Sequence, residues 1–413
     1  MIHTKTFDCG LRFAFRRTRS QVAYTALAIQ SGTRNEPEAL SGIAHMTEHM
    51  LFKGTEKRTP RQISNRLEML GGELNAYTAK EETVLYSTVL KEDTAKAVDL
   101  LFELAFKSTW PAKELEKERC VVIDEINMYK DSPSECIFEE FERLLFEPSP
   151  LARPILGTTR SLRKIDSDAL RAYARENFRP ENMCIAIVGN ITPQRAEKIA
   201  RQAAARYIPE GYVPSPRTEK PMAPAELPVP PRFEKEVAKK NHQINCIIGT
   251  TAYSYYDNRR MEMVLLANLL GGPSANSRLN QKLREKNALV YAVDASFTQF
   301  ADNGTLLIYF GCEKGNLERC IALVREELAM LRNKPLSERA LRSARKQLLG
   351  QLAVASDNGE SQALSMAKSM LVFDEILPDD EVRRRIEAIT PESLQQVAAS
   401  VLAEERLSTL IFK

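Results

Sequence analysis

The sequence predicts an α+β fold made of two duplicated domains, each a mainly antiparallel sheet packed with helices. Four observations lead there. Apolar residues recur with period two in some segments and with helical period in others, and the second half of the chain repeats the order of the first. Eight prolines fall between Pro209 and Pro231, which rules out regular structure there and reads as a semi-rigid linker. At 413 residues the chain exceeds one ordinary domain. The division is residues 1–212, a linker over 213–232, and residues 233–413.

In the first half, residues 5–15 read as a hairpin turning at Asp8 to Gly10, and Val22 to Gly32 as a buried strand. Ser41 is the expected N-cap of a helix over 42–53 that stops at Gly54. Pro60 opens a second helix, ended by Gly71 and Gly72. Residues 73–78 and 83–90 form an antiparallel hairpin. A helix over 92–107 follows from the spacing of Ala97, Leu100, Leu101 and Leu104. Pro111 starts a long charged helix that Pro133 breaks, and a second helical piece runs to about Leu145. Another helix (169–177), a strand (182–189) and a helix (193–207) complete the half.

In the second half, Val237 to Thr251 corresponds to the strand at 22–32, and Asn258 to Gly272 to the helix at 42–54. Then come Leu279 to Glu285, Leu289 to Phe297 and the strand Thr305 to Gly311. Setting Gly272 against Gly54, an offset of 218, puts Met263, Leu266 and Ala267 opposite His45, Glu48 and His49. The second copy therefore lacks the first copy's polar chemistry.

Composition bounds the function. Fifty-eight basic residues against 55 acidic leave a net charge of +3, which gives no case for nucleic acid or a membrane surface. No apolar run reaches the length of a membrane span, and the N-terminus has no apolar leader core. The seven cysteines form no Cys-x-x-Cys pair and are expected to be reduced and buried, as in the cytoplasm.

The chemistry concentrates in Gly42 to Gly54. His45 and His49 stand at i and i+4, with Glu48 between them, so all three share one helix face. Two imidazoles so spaced can grip one metal ion, and the glutamate can reach a water on it. Alone, such a pattern also occurs on ordinary surface helices, but the flanking Ile43, Ala44, Met46, Met50, Leu51 and Phe52 are apolar. A hydrolytic zinc site takes three protein ligands. The long helix offers Glu118 and Glu125, seven apart and so on one face. Apolar neighbours, Val121 to Ile126, should half-bury Glu125, while Glu114, Glu116 and Lys117 read as a solvated face.

These motifs resemble those of the pitrilysin family of zinc peptidases, the inverzincins, and the resemblance covers nearly the whole chain. The chain is similar to half-length members related to mitochondrial processing peptidase and to bacterial zinc peptidases. That family places a third ligand about 76 residues after the second histidine, and the step from His49 to Glu125 is 76. The resemblance implies one zinc ion per chain held by His45, His49 and Glu125, with Glu48 as general base and Glu118 behind a ligand. It implies that Gly71-Gly-Glu-Leu-Asn75-Ala76-Tyr-Thr78 is an edge strand on which an extended peptide adds. It also implies that Arg284 and Tyr291 hold the substrate carbonyl or oxyanion.

The expected activity is a zinc-dependent endopeptidase acting on peptides or unfolded segments. Double-length relatives close as two halves around a chamber, so a homodimer, or a pair with a related chain, is the expected assembly. Two other readings stay open: a dedicated leader or presequence peptidase, and a non-catalytic scaffold subunit of the same fold.

Overall fold

A computed structural model of the chain describes residues 2–217, 227, 229–239 and 243–413. The strands are β1 Ile2–Thr6, β2 Arg12–Arg17, β3 Val22–Ile29, β4 Glu73–Thr78, β5 Thr83–Leu90, β6 Met183–Gly189, β7 Glu234–Val237, β8 Ile244–Ala252, β9 Val290–Gln299, β10 Gly304–Cys312 and β11 Ser408–Phe412. The first-half helices are α1 Ile43–Leu51, α2 Pro60–Glu68, α3 Thr94–Lys107, α4 Ala112–Lys130, α5 Pro133–Phe146, α6 Thr159–Leu162, α7 Ser167–Asn177 and α8 Pro193–Tyr207. Those of the second half are α9 Arg260–Gly271, α10 Leu317–Asn333, α11 Glu338–Ala355, α12 Gly359–Phe373, α13 Asp379–Glu387 and α14 Pro391–Val401.

Two compact units result. The first comprises Met1–Asn127, Ser149–Glu219 and Val354–Leu377. Its sheet runs β1-β2-β6-β3-β5-β4, with β2 and β6 parallel and every other neighbour antiparallel. Alternate strand residues face opposite sides. Phe13, Phe15, Leu27, Ile29, Leu85 and Ile187 build the core shared with α1 and α3. Ala14, Ala26, Ala28 and Ala186 face the other way, against Ala363, Met366, Ala367 and Met370 of α12. The short side chains let that helix approach closely: a Cβ on Gly359 would lie 2.3 Å from the Tyr24 ring.

Arg12 fixes the end of α12. It is fully buried, and its guanidinium donates to the carbonyls of Met370 (2.8 Å) and Glu181 (3.2 Å) and to Asp374 Oδ1 (3.1 Å). A cation there satisfies last-turn carbonyls that have no partner within the helix.

The second unit comprises Met128–Pro148, Lys220–Ala353 and Pro378–Lys413. Its sheet runs β7-β11-β8-β10-β9, and its one parallel pair is β7 with β11. Strand for strand this matches β2-β6-β3-β5-β4, including the place of the parallel pair. The duplication is therefore visible in topology as well as in sequence order. Each unit also takes a helix from the other half of the chain: α5 packs on β8 and β11, and α12 on β3 and β6. The compact units thus follow packing, whereas residues 1–212 and 233–413 are contiguous halves of the chain.

Several local expectations change. Residues 218–226 and 228 of the linker, and 240–242 of the expected strand Val237 to Thr251, lie outside the described residues. That expected strand contains the end of β7 and most of β8. All seven cysteines are unpaired, but Cys120 is exposed and Cys9 and Cys136 are half-buried, leaving four buried. No helix among the described residues is long and apolar enough to cross a membrane.

Candidate metal centre

Helix α1 begins in an unusual way. Gly42 precedes it at φ 93° and provides no side-chain cap. A Cβ at Gly42 would lie 2.8 Å from the Leu156 carbonyl oxygen, so glycine is required by conformation and by space. Ser41, the expected cap, leaves its buried hydroxyl without a hydrogen-bond partner. The cap is instead Glu36, which is 4% exposed. Its Oε2 accepts from Gly42 N and its Oε1 from Ala44 N, both at 2.9 Å. Burial pushes this carboxyl up to about 8, while the two amide bonds, Arg153 and Lys80 pull it back down.

The apolar face of α1, with Ile43, Met46, Met50 and Leu51, sits in the core of the first unit. The polar face carries the histidines one turn apart, their ring centroids 4.5 Å from each other. Helix α4 lies opposite. Glu125 Oε2 is 3.8 Å from His45 Nε2 and 3.9 Å from His49 Nε2. One ligand atom from each of the three residues lies within 4.8 Å of the others. Ligands about 2.1 Å from a tetrahedral zinc stand about 3.4 Å apart, so a small inward adjustment would complete the set.

The protonation states suit that use. Burial, then the neighbouring His49, lowers the His45 pKa to about 3, leaving the neutral imidazole that a metal needs. His45 Nδ1 is buried without a hydrogen-bond partner. Two imidazoles and one carboxylate are a donor set found in catalytic zinc sites, and the residues present fit the ion.

The surrounding groups orient this set. His49 Nδ1 lies 3.0 Å from Glu118 Oε2, which directs Nε2 toward Glu125. Lys53 Nζ reaches Glu118 Oε1 at 2.6 Å. Burial opposes the Glu118 charge, but the hydrogen bonds from Lys53 and His49 outweigh it and the carboxyl falls below its ordinary value. Glu125 is half-buried, as its apolar neighbours suggested. Glu48 Oε2 accepts from Thr78 Oγ1 at 2.8 Å. Burial raises the Glu48 carboxyl; Thr78 and His49 lower it, and Glu125 raises it further.

Asn75 and Ala76 lie on β4, the terminal strand of the first sheet. They pair with Tyr86 and Leu85 of β5, and no strand among the described residues pairs with the other side of β4. The same strand carries Thr78 to Glu48. Arg284 and Tyr291 belong to the second unit: Arg284 is exposed on the helical turn Asn280–Glu285, and Tyr291 is 79% exposed on β9. Sequence reasoning assigned no role to Glu36, Lys53 or Thr78. Thr78 closes the glycine-led segment already singled out, which was the available signal for it.

The chain has relatives among known proteins. Residues 12–159 match the family model described as Insulinase (Peptidase family M16), and residues 164–348 the model described as Peptidase M16 inactive domain. An uncharacterized zinc protease of Streptomyces coelicolor is 32% identical over 90% of this chain and 80% of its own length. An uncharacterized zinc protease of Bacillus subtilis is 30% identical over 100% of this chain and 98% of its own. The chain belongs to peptidase family M16.

Among solved structures, a Helicobacter pylori protease superposes on this M16 chain with a TM-score of 0.88 at 18% identity, covering 100% of this chain and 99% of that one. A Pseudomonas fluorescens structure described as a peptidase M16 inactive domain gives 0.88 at 22%, covering 100% and 97%. These likenesses show the fold. In this M16 chain the second unit offers a physical counterpart to the description "inactive domain". On α9, Met263 and Leu266 are fully buried and Ala267 is 5% exposed, so the helix equivalent to α1 is spent on packing.

Proposed function

We propose that this M16 chain is a zinc-dependent endopeptidase acting on peptides or unfolded segments. The observation that carries the reading is the convergence of His45, His49 and Glu125 within 4.8 Å, with Glu48 on the same helix. His45, His49 and Glu125 would hold one zinc ion. When bound, zinc supplies Lewis acidity that makes water nucleophilic near neutral pH and offsets charge growing on a carbonyl oxygen.

The chain's own residues do the rest. The outer edge of β4 at Asn75 and Ala76 takes the substrate as an added strand, through backbone bonds that any sequence can make. Glu48 takes the proton of the attacking water and later gives it to the leaving amine. Thr78 holds one Glu48 oxygen, so the carboxylate stays oriented through both transfers. Glu118 keeps the His49 ring in place. Arg284 and Tyr291 are the proposed holders of the substrate carbonyl or oxyanion. The proposal includes a homodimer enclosing the substrate and a cytoplasmic location.

The test is purified protein with a mixed peptide library, with and without chelator, read by mass spectrometry. Cleavage within chains that stops on chelation and returns with zinc is expected. Chelator-resistant cleavage, or a zinc-loaded protein that cleaves nothing, would overturn the reading; no zinc uptake would favour a scaffold subunit.

A further inference from the structure

The cap of α1 joins more than one piece of the site. Its carboxylate binds the amides of Gly42 and Ala44, and Ala44 directly precedes His45. Its backbone carbonyl accepts from the Arg153 guanidinium. The Arg153 carbonyl in turn accepts from Lys80 Nζ at 2.6 Å. Lys80 is 7% exposed and sits in the turn between β4 and β5, two residues beyond Thr78. The segment leading to Glu36 lies on that same turn: Thr33 N donates to Ala79 O (3.2 Å) and Arg34 N to Lys80 O (2.8 Å). A Cβ on Gly32 would lie 2.3 Å from the Ala79 carbonyl oxygen, so the two backbones are in direct contact.

We propose that Glu36 is a positioning residue for the metal centre, a buried node that ties the start of α1 to the turn ending β4. Helix α1 carries two proposed ligands and the base. Strand β4 carries the substrate edge and the threonine that holds the base. A shift of one element against the other would break the 2.8 Å Thr78–Glu48 bond and change the distance of His45 and His49 from Glu125. A side-chain hydroxyl cap on Ser41 could satisfy α1 but could not reach the hairpin turn. Glu36 does both, because its side chain and its own carbonyl are held by different elements. The inference rests on the metal reading above, and it deepens that reading by assigning what sets its geometry.

The test uses the full chain with Glu36→Ala and Glu36→Gln. The amide of the Gln variant keeps the volume but offers one accepting oxygen for two N–H groups. The probe is Co(II), whose visible spectrum reports ligand geometry, with affinity read by chelator competition. Loss of an outer partner of a metal site costs about 10–100-fold in affinity; we expect the lower end for Gln and the upper end for Ala, with an altered spectrum in both. Hydrogen exchange on metal-free protein should quicken at residues 42–50 and at the 78–82 turn together, while β8 and β10 stay protected. A cap that only held a helix together would lower the melting temperature, loosen 42–46 alone and leave the cobalt spectrum unchanged; that result overturns the proposal. Should Glu36→Ala fail to fold, the Gln variant decides alone. Should the wild type bind no cobalt, the metal reading falls, and the coupled exchange of α1 and the turn still supports or overturns the node.

Discussion

Removing Glu118 tests whether the groups behind the metal ligands matter as the geometry says. Glu118 is 7% exposed and uses both oxygens: Oε2 faces His49 Nδ1 at 3.0 Å and Oε1 faces Lys53 Nζ at 2.6 Å. A hydrogen bond to a charged group contributes about 1.5–3 kcal/mol when partly buried. Without it the His49 ring is free to turn, and Nε2 no longer points at Glu125 by default. The outer-partner effect of about 10–100-fold in metal affinity corresponds to about 1.4–2.7 kcal/mol, which the lost His49 bond alone can supply. Glu118→Ala should therefore bind zinc about 30-fold more weakly. The Lys53 side chain is 28% exposed, so its head can turn to water and the fold should survive. Glu118→Gln keeps an acceptor for His49 and should lose less than about tenfold. Zinc transfer to a chromogenic chelator gives the affinity, and circular dichroism the fold. Affinity within twofold of wild type for the alanine variant would show that the Glu118–His49 bond does not set metal affinity.

Three further outcomes follow from other contacts. Thr78→Val removes the bond to Glu48 at nearly constant shape; kcat should fall about tenfold for the roughly 1.4 kcal/mol lost, with zinc content unchanged, in a peptide assay. Arg12→Ala strands the carbonyls of Met370 and Glu181 in the interior and should destabilise the first unit by about 3 kcal/mol, measured by denaturant unfolding. Leu266→Glu places a carboxylate on α9 where the wild-type side chain is fully buried; a loss of about 3 kcal/mol or more is expected, with no second zinc taken up.

The parts legible in the sequence were those that repeat or that carry rare chemistry. His45, Glu48 and His49 stood out because four histidines serve 413 residues and two of them share a helix face. The duplicated order of strands and helices marked the two sheets. Glu36 left no trace because its partners are backbone amides, which have no sequence. Ser41 looked like the cap because serine usually is one; the left-handed Gly42 turns the chain so that a carboxylate from the preceding loop reaches the amides instead. The helices after Cys312 carry no chemistry, and nothing in their periodicity says that α12 packs on the first-half sheet. A signal existed, though: Ala26 and Ala28 on β3, Ala186 on the adjacent β6 and Ala14 on β2 beyond it are too small for a face that meets bulky core, and such a stripe calls for a closely packed helix. Contiguous halves are the natural reading of a chain, whereas the exchange of α5 and α12 is a property of packing.

One zinc centre on α1 and α4, working through Glu48, is the core of the proposed function. The most direct measurement is Glu48→Gln beside wild type, with zinc content and peptide turnover determined on the same preparations. Equal zinc is expected, one ion per chain, with turnover in the variant reduced to background. Equal zinc with turnover at the wild-type rate would contradict that function.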